Sequence, residues 1–427
     1  MATNSITAYI EGGQIPNGRV KVSGAKNSAT KLLGAALISD EKVILQNFPV
    51  NIVDAQYKID FIRKNGGLIN VDNVKESIEI DTVNFLCHEL DNYDYPIRTT
   101  YLLVAGLLKK SGIARIPYPG GCKIGSRGYD LHIMVWKKFG AVVIEKENYI
   151  EVSVLNKLKP AEINFPISTI GGTENALITA STIEGISTIT NAYISPEVEN
   201  LIGFLRSMGS QIDVTGNSFI KVKGKKYLRG SLYTIIPDRI EALTWLVYGT
   251  LSGGTISIEN VPFDALKIPL IHVREAGIDF FNNTNNIYIS PDCLKNGVIQ
   301  PFELACGTHP GIISDMQPFF TLLGLHARGI SRIFDYRYPK RVQYCVELAK
   351  MYKDAIQWET GKITTYGHQR PIGHRVQSTD LRGSMALILA ALLAEGKSEV
   401  INAEMALRGY NNLVDKLNGL GIEILLE

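Results

Sequence analysis

One phrase recurs along this chain, and its recurrence limits the fold more than any single motif does. It is an apolar helix, a small turn and a β-rich stretch. Its copies read NSATKLLGAALISDEKVILQNFP, TTYLLVAGLLKKSGIARIPYPGG, ENALITASTIEGISTITNA, IEALTWLVYGTLSGGTISIENV, FFTLLGLHARGISRIFD and SMALILAALLAEGKSEVINA. The turns fall at Glu41, Gly112, Gly185, Gly254, Gly329 and Gly396, spaced 67 to 75 residues apart. A second phrase follows each copy, an amphipathic helix that ends just before a strand. It reads FIRKNGGLINV, VWKKFGAVVIE, FLRSMGSQIDV, VREAGIDFF, LAKMYKDAIQW and KLNGLGIEILL. Gly66, Gly140, Gly209, Gly277 and Gly421 stand where a helix C-cap in the left-handed region suits glycine. The fifth copy has Tyr352-Lys353-Asp354 there instead.

Each unit is two helices with intervening strands, such as 188–191 and 255–259 with their alternating polarity. Two architectures accommodate six such units. In-line solenoids usually use repeats of ~20–50 residues. Longer units, with helices as apolar as ALILAALLA, favour helices enclosed by sheets. The expected class is α/β (α+β), an inside-out α/β barrel in two lobes of three units each, with a cleft between the lobes.

Composition narrows the function. With 427 residues, 45% hydrophobic and 20% charged, the chain reads as globular. A net charge of +2 gives no reason to expect a nucleic-acid or membrane partner. Cys87, Cys122, Cys293, Cys306 and Cys345 are odd in number and scattered, which argues against a disulfide framework and for a reducing cytoplasm. The N-terminal stretch lacks the pattern of a signal peptide. The longest apolar run, 385–394, is about half of the ~20 residues needed to span a bilayer.

The helical phrases start oddly. In order they carry Lys26-Asn27, Arg98, Thr173-Glu174, Asp238-Arg239, Asp315 and Asp380-Leu381-Arg382. Asp238 and Asp380 fit N-caps. Lys26, Arg98 and Arg382 do not, because a cation opposes the positive end of the helix dipole. An anion bound among them is the functional reading. The segment PYPGGCKIGSRGYDLHI, 117–133, is rich in glycine and proline and reads as a mobile loop presenting Cys122, Lys123 and Arg127. A glycine-rich loop beside cations is where a thiol becomes reactive, whereas the other four cysteines read as small buried hydrophobes. There is no P-loop and no dinucleotide fingerprint. The seven histidines form no H-x-x-x-H pair, so no metal is expected.

The phrases VSGAKNSA, PGGCKIGSRGYDLHI, IPDRIEA, HPGIISDMQ, STDLRGSMALILAALLAEG and LRGYNNLVDKL closely resemble those of the enolpyruvyl transferases, over essentially the whole chain. The likeness is greatest to members that use UDP-N-acetylglucosamine in the first committed step of peptidoglycan synthesis, the fosfomycin-sensitive ones. It implies a first lobe of roughly 1–25 with 237–427 and a second of roughly 26–236. It implies phosphoenolpyruvate and UDP-N-acetylglucosamine, or a related nucleotide, as substrates, with no cofactor. Lys26, Arg127 and Arg408 would hold phosphoenolpyruvate, with Arg98 and Arg382 adding charge. Cys122 would be the acid for C3, and Asp315 would take the proton of the acceptor's 3-hydroxyl. Cys122 is also the family's covalent position, so the resemblance leaves acid and nucleophile both open. The acceptor would lie along Asn27, Arg127, Gly128, Tyr129, Asp130 and Leu131, and along the turn Ser168, Thr169, Ile170 and Gly171.

The departures concern the acceptor. Ile167 stands where the family usually has a lysine, in FPISTIGGT. KRVQYCVEL keeps Arg341 and Glu347 but loses the family's Phe-Met-His, and Arg337 falls near a usually apolar position that contacts the sugar nucleotide. The donor and acid set is intact. A divergent housekeeping enzyme and a paralogue acting on another nucleotide or nucleotide-sugar both fit this pattern.

Overall fold

The structure, a computed structural model, describes residues 5–87, 98–118, 120 and 128–427. The third repeat displays the unit most completely. A strand, Glu162–Asn164, leads into the buried helix Ile170–Ser181, then strand Gly185–Thr190 and helix Pro196–Ser207. Strands Gln211–Thr215 and Phe219–Gly224 close it. The leading strand pairs parallel with Gly185–Thr190, and the other two pairings are antiparallel. A parallel pair needs a crossover, and the buried helix is that crossover. Among the described residues six sheets form, one for each repeat. The architecture is mixed helix and strand.

Strands from distant parts of the chain complete some of these sheets. Thr7–Glu11 pairs antiparallel with both Lys397–Ile401 and Leu425–Leu426. Asn17–Lys21 runs parallel to Thr255–Glu259, and Ser231–Thr234 runs parallel to Val43–Gln46. The described residues accordingly group into two compact units, one over 5–23 and 237–427, the other over 24–87, 98–118, 120 and 128–236. Each unit has its own apolar core.

The central helices are buried almost all round, from residue 239 to 250 in Arg239–Ser252 and from 381 to 392 in Leu381–Leu393. Hydroxyls on Arg239–Ser252 and on the buried helix Gln317–His326 turn back on their own helix. Thr244 donates to the Ile240 carbonyl at 2.7 Å, Thr250 to Leu246 at 2.9 Å and Thr321 to Gln317 at 3.0 Å. That bond satisfies a buried hydroxyl locally.

Two turn positions repay comparison with expectation. All five C-cap glycines are left-handed, and Asp354 takes the same conformation at φ 58°. The fifth repeat therefore has a left-handed residue without glycine, but two positions after its C-cap Tyr352 rather than one. In the fourth repeat the left-handed residue is Gly253 (φ 65°) rather than Gly254. Gly254 is needed for close approach, since a Cβ there would lie 2.4 Å from the Pro16 carbonyl oxygen. No described helix is long and apolar enough to cross a membrane.

Candidate active site

In the first unit the site grows from two helix caps. Asp238 Oδ1 accepts from the backbone N–H of Ile240 and Glu241 at 2.8 and 3.1 Å. Asp380 Oδ1 accepts from Arg382 and Gly383 at 3.1 and 3.2 Å. Both expected caps form, and both carboxylates also meet guanidiniums. Arg341 Nη2 lies 2.7 Å from Asp380 Oδ1, and Arg382 Nη2 lies 3.6 Å from Asp238 Oδ2.

Asp315 sits in the single turn Ser314–Met316 ahead of helix Gln317–His326. Arg341 Nη1 grips its Oδ1 at 2.6 Å, and Arg382 Nε lies 3.6 Å from Oδ2. The two arginine side chains are 3% and 1% exposed, whereas Asp315 is 29% exposed. A reachable carboxylate thus has two buried cations behind it. Burying a guanidinium costs several kcal/mol unless carboxylates surround it, and here each has two, from three shared between the pair. Burial opposes the charge on Arg341, but Asp380 and Asp315 outweigh it and hold the guanidinium well above its ordinary range.

Arg382 also stacks over the Tyr410 ring at 5.1 Å, and the Tyr410 hydroxyl meets Thr244 at 2.8 Å. Burial pushes the Tyr410 phenol up to about 12. Arg341 Nε and Arg382 Nε and Nη1 are buried donors with no hydrogen-bond acceptor among the described residues. Such donors suit an incoming anion.

Asp335 ties this turn to the next. Gln317 Nε2 donates to its Oδ2 at 3.0 Å, and Ser314 donates to the same oxygen. Its Oδ1 accepts from the N–H of Arg337 and Tyr338 at 2.9 and 2.7 Å. Arg337 and Arg408 are half-buried.

The second unit is built differently. Lys26 opens helix Lys26–Ala36, whose N-cap residue, Ala25, has no capping side chain. Its Nζ lies 2.9 Å from Asp54 Oδ2. This corrects the expectation that only a bound anion could explain cations at the repeat starts: Asp54 faces Lys26, and Asp238 and Asp315 face Arg382. Lys31, one turn further on, pairs with the fully buried Glu174 at 2.5 Å. Lys58 is fully buried and donates to the Thr30 carbonyl at 2.6 Å.

Arg98 begins the short helix Arg98–Leu103 and donates to the Gly128 carbonyl at 2.8 Å. Gly128, Tyr129, Asp130 and Leu131 lead into helix Asp130–Lys138, whose buried His132 stacks on Tyr101 at 3.6 Å. Burial, with Arg98 nearby, lowers the His132 pKa to about 3, so this imidazole is neutral. Thr169 caps helix Ile170–Ser181, accepting from Gly172 N–H at 3.3 Å. Ser168, Thr169, Ile170 and Gly171 are half-buried there, with Asn27 similarly exposed, and Ile167 is 61% exposed. Cys122 and Arg127 lie outside the described residues. Asp54, Lys58 and Asp335 were missed in the sequence. The available signal was a charge inside an otherwise apolar helical stripe, as at Lys31 and Lys58.

Comparisons with known proteins agree on one family. Residues 10–417 match the family model described as EPSP synthase (3-phosphoshikimate 1-carboxyvinyltransferase). UDP-N-acetylglucosamine 1-carboxyvinyltransferase 1 of Caldanaerobacter subterraneus subsp. tengcongensis is 33% identical, over 95% of this chain and 96% of that protein. UDP-N-acetylglucosamine 1-carboxyvinyltransferase 2 of Bacillus anthracis is 34% identical, over 97% of this chain and 95% of that protein. Among solved structures, the enolpyruvyl transferase NikO from Streptomyces tendae superposes with a TM-score of 0.88 at 23% identity, covering 99% of both chains. An EPSP synthase from Acinetobacter baumannii gives 0.75 at 15% identity, over 99% of this chain and 100% of that one. At those identities the two structures speak to the fold alone.

Proposed function

We propose, from the premise that this chain belongs to the EPSP synthase family of enolpyruvyl transferases, that its acceptor is UDP-N-acetylglucosamine. The single observation that carries this choice is relatives of that name at 33% and 34% identity over nearly the whole chain. The reaction adds the acceptor's 3-hydroxyl to C2 of phosphoenolpyruvate and a proton to C3. Phosphate then leaves C2 of the tetrahedral intermediate as a proton leaves C3, which restores the double bond as a carboxyvinyl ether. The step belongs to peptidoglycan synthesis and to the cytoplasm.

Lys26, Arg127 and Arg408 bind the donor's phosphate and carboxylate, with Arg98 and Arg382 adding positive charge. Cys122 delivers the proton to C3. Asp315 takes the hydroxyl proton, and its support is geometric: Arg341 fixes one oxygen at 2.6 Å while the group stays partly open. Asn27, the stretch from Arg127 to Leu131, the turn from Ser168 to Gly171, Arg337 and Arg341 contact the acceptor. No metal takes part.

A second reading keeps the donor and changes the acceptor to another nucleotide or nucleotide-sugar. The exposed Ile167, apolar where the family usually has a lysine, favours it. Calorimetric titration separates the two. Tighter binding of UDP-N-acetylglucosamine than of UMP supports the first reading, and the reverse order supports the second. Fosfomycin, in either case, should add to the Cys122 peptide in a mass spectrum. An unmodified peptide would contradict the assigned chemistry.

A further inference from the structure

Buried helix faces leave little water to screen a charge, yet a run of charges threads the interior of the second unit. Lys26 and Lys31 lie on helix Lys26–Ala36, Asp54 and Lys58 on Val53–Lys64, Glu174 on Ile170–Ser181 and Glu197 on Pro196–Ser207. Lys26 meets Asp54 at 2.9 Å, and Lys31 meets Glu174 at 2.5 Å. Lys58 makes its 2.6 Å bond to a neutral carbonyl, that of Thr30, on the helix that bears the other two lysines. Asp54 stands one turn before it on its own helix, at a spacing that puts both side chains on one face.

A fully buried ammonium bound to a neutral carbonyl is costly. Burial accordingly pushes Lys58 down to about 7, with Asp54 opposing the shift and Lys26 adding to it. Lys26 and Lys58 therefore compete for one carboxylate.

We propose that Lys58 is a positioning residue for the donor site, taking up a proton when the phosphate-bearing anion binds at Lys26. This rests on the reading above that Lys26 grips phosphoenolpyruvate. The bound anion draws on the charge of Lys26, which leaves Asp54 under-compensated. A proton from solvent, bound at Lys58 Nζ, restores the balance, and it returns to solvent when the anion departs. Nothing is consumed. By reciprocity, whatever favours the Lys58 ammonium favours the anion, so affinity falls as pH rises through the Lys58 titration. Lys31, Glu174 and Glu197 complete the charged surroundings, and Lys31 is already engaged by Glu174.

The test is calorimetric titration of the full chain with phosphoenolpyruvate between about pH 6.5 and 8.5, in paired buffers of different ionisation heat, which counts protons. The wild type should take up a fraction of a proton and bind about three- to tenfold more weakly at the upper end. Lys58→Met, and Lys58→Gln with a donor left for Thr30, should lose that uptake. The ligand phosphate, which titrates near pH ~6, contributes equally to all three proteins and cancels. Unchanged uptake in the folded variants overturns the proposal, as does a wild type whose uptake is no more than the ligand's own. Should neither variant fold, the wild-type proton count decides by itself. A wild type that binds no phosphoenolpyruvate overturns the functional reading as well, which keeps the two failures distinct.

Discussion

Each unit holds one charged cluster that includes the start of a buried helix, but the two are made of different cations. In the first unit Arg341 and Arg382 are set among Asp238, Asp315 and Asp380, two of which also cap helices. In the second, Lys26, Lys31 and Lys58 are set among Asp54 and Glu174, and the first helix has no capping side chain. Arginine keeps its charge at any working pH and offers a planar fork that matches carboxylates. Lysine loses its charge when buried without enough compensation. One cluster is therefore a fixed electrostatic frame. The other is adjustable.

The largest effect expected on this contrast comes from Arg341→Ala. It strips the fork from Asp315 and Asp380 and should lower unfolding stability by about 3–5 kcal/mol in urea titrations. A loss well under 1 kcal/mol would show that the frame is not held together by that pair. Asp315→Asn should fold normally and lose about 10³-fold in kcat. Comparable turnover in that variant would remove Asp315 from the chemistry and leave it a partner for arginine.

Lys58→Met sharpens the contrast through pH. Lys58 is lowered in the fold to about 7, whereas an unfolded lysine titrates near ~10.4. Between those values the unfolded chain binds the extra proton, so folding is penalised most below pH 7 and the penalty disappears as pH rises. Wild-type stability relative to Lys58→Met should climb across that window, by at most about 1.4 kcal/mol per pH unit. A flat difference would mean that Lys58 is not strained by burial. The smallest effect lies outside both clusters. Asp354→Gly relieves a left-handed aspartate and should add about 0.5–1 kcal/mol, a reference for backbone terms alone.

Much of the frame was legible in the sequence because it is local. The six helical phrases, the Asp238 and Asp380 caps and the left-handed C-cap glycines each follow from residues within a few positions of one another. Asp54, Lys58 and the Lys31–Glu174 pair were not, because their partners come from other helices and nothing near them in sequence marks the contact. The same reason hid the pairing of Thr7–Glu11 with Lys397–Ile401, which joins the two ends of the chain. Gly253 and Gly254 were interchangeable in the pattern until the approach of Pro16 distinguished them. Cys122 and Arg127 stand on the sequence, their loop composition singling them out and the resemblance giving them roles.

The central claim is enolpyruvyl transfer to UDP-N-acetylglucosamine. The direct measurement is phosphate release from phosphoenolpyruvate with and without that acceptor, with the product identified by mass spectrometry. The account predicts release that depends on the acceptor, together with a carboxyvinyl ether of UDP-N-acetylglucosamine. No release with this acceptor, but release with another nucleotide from a small panel, would contradict it and turn attention to Ile167 and Arg337.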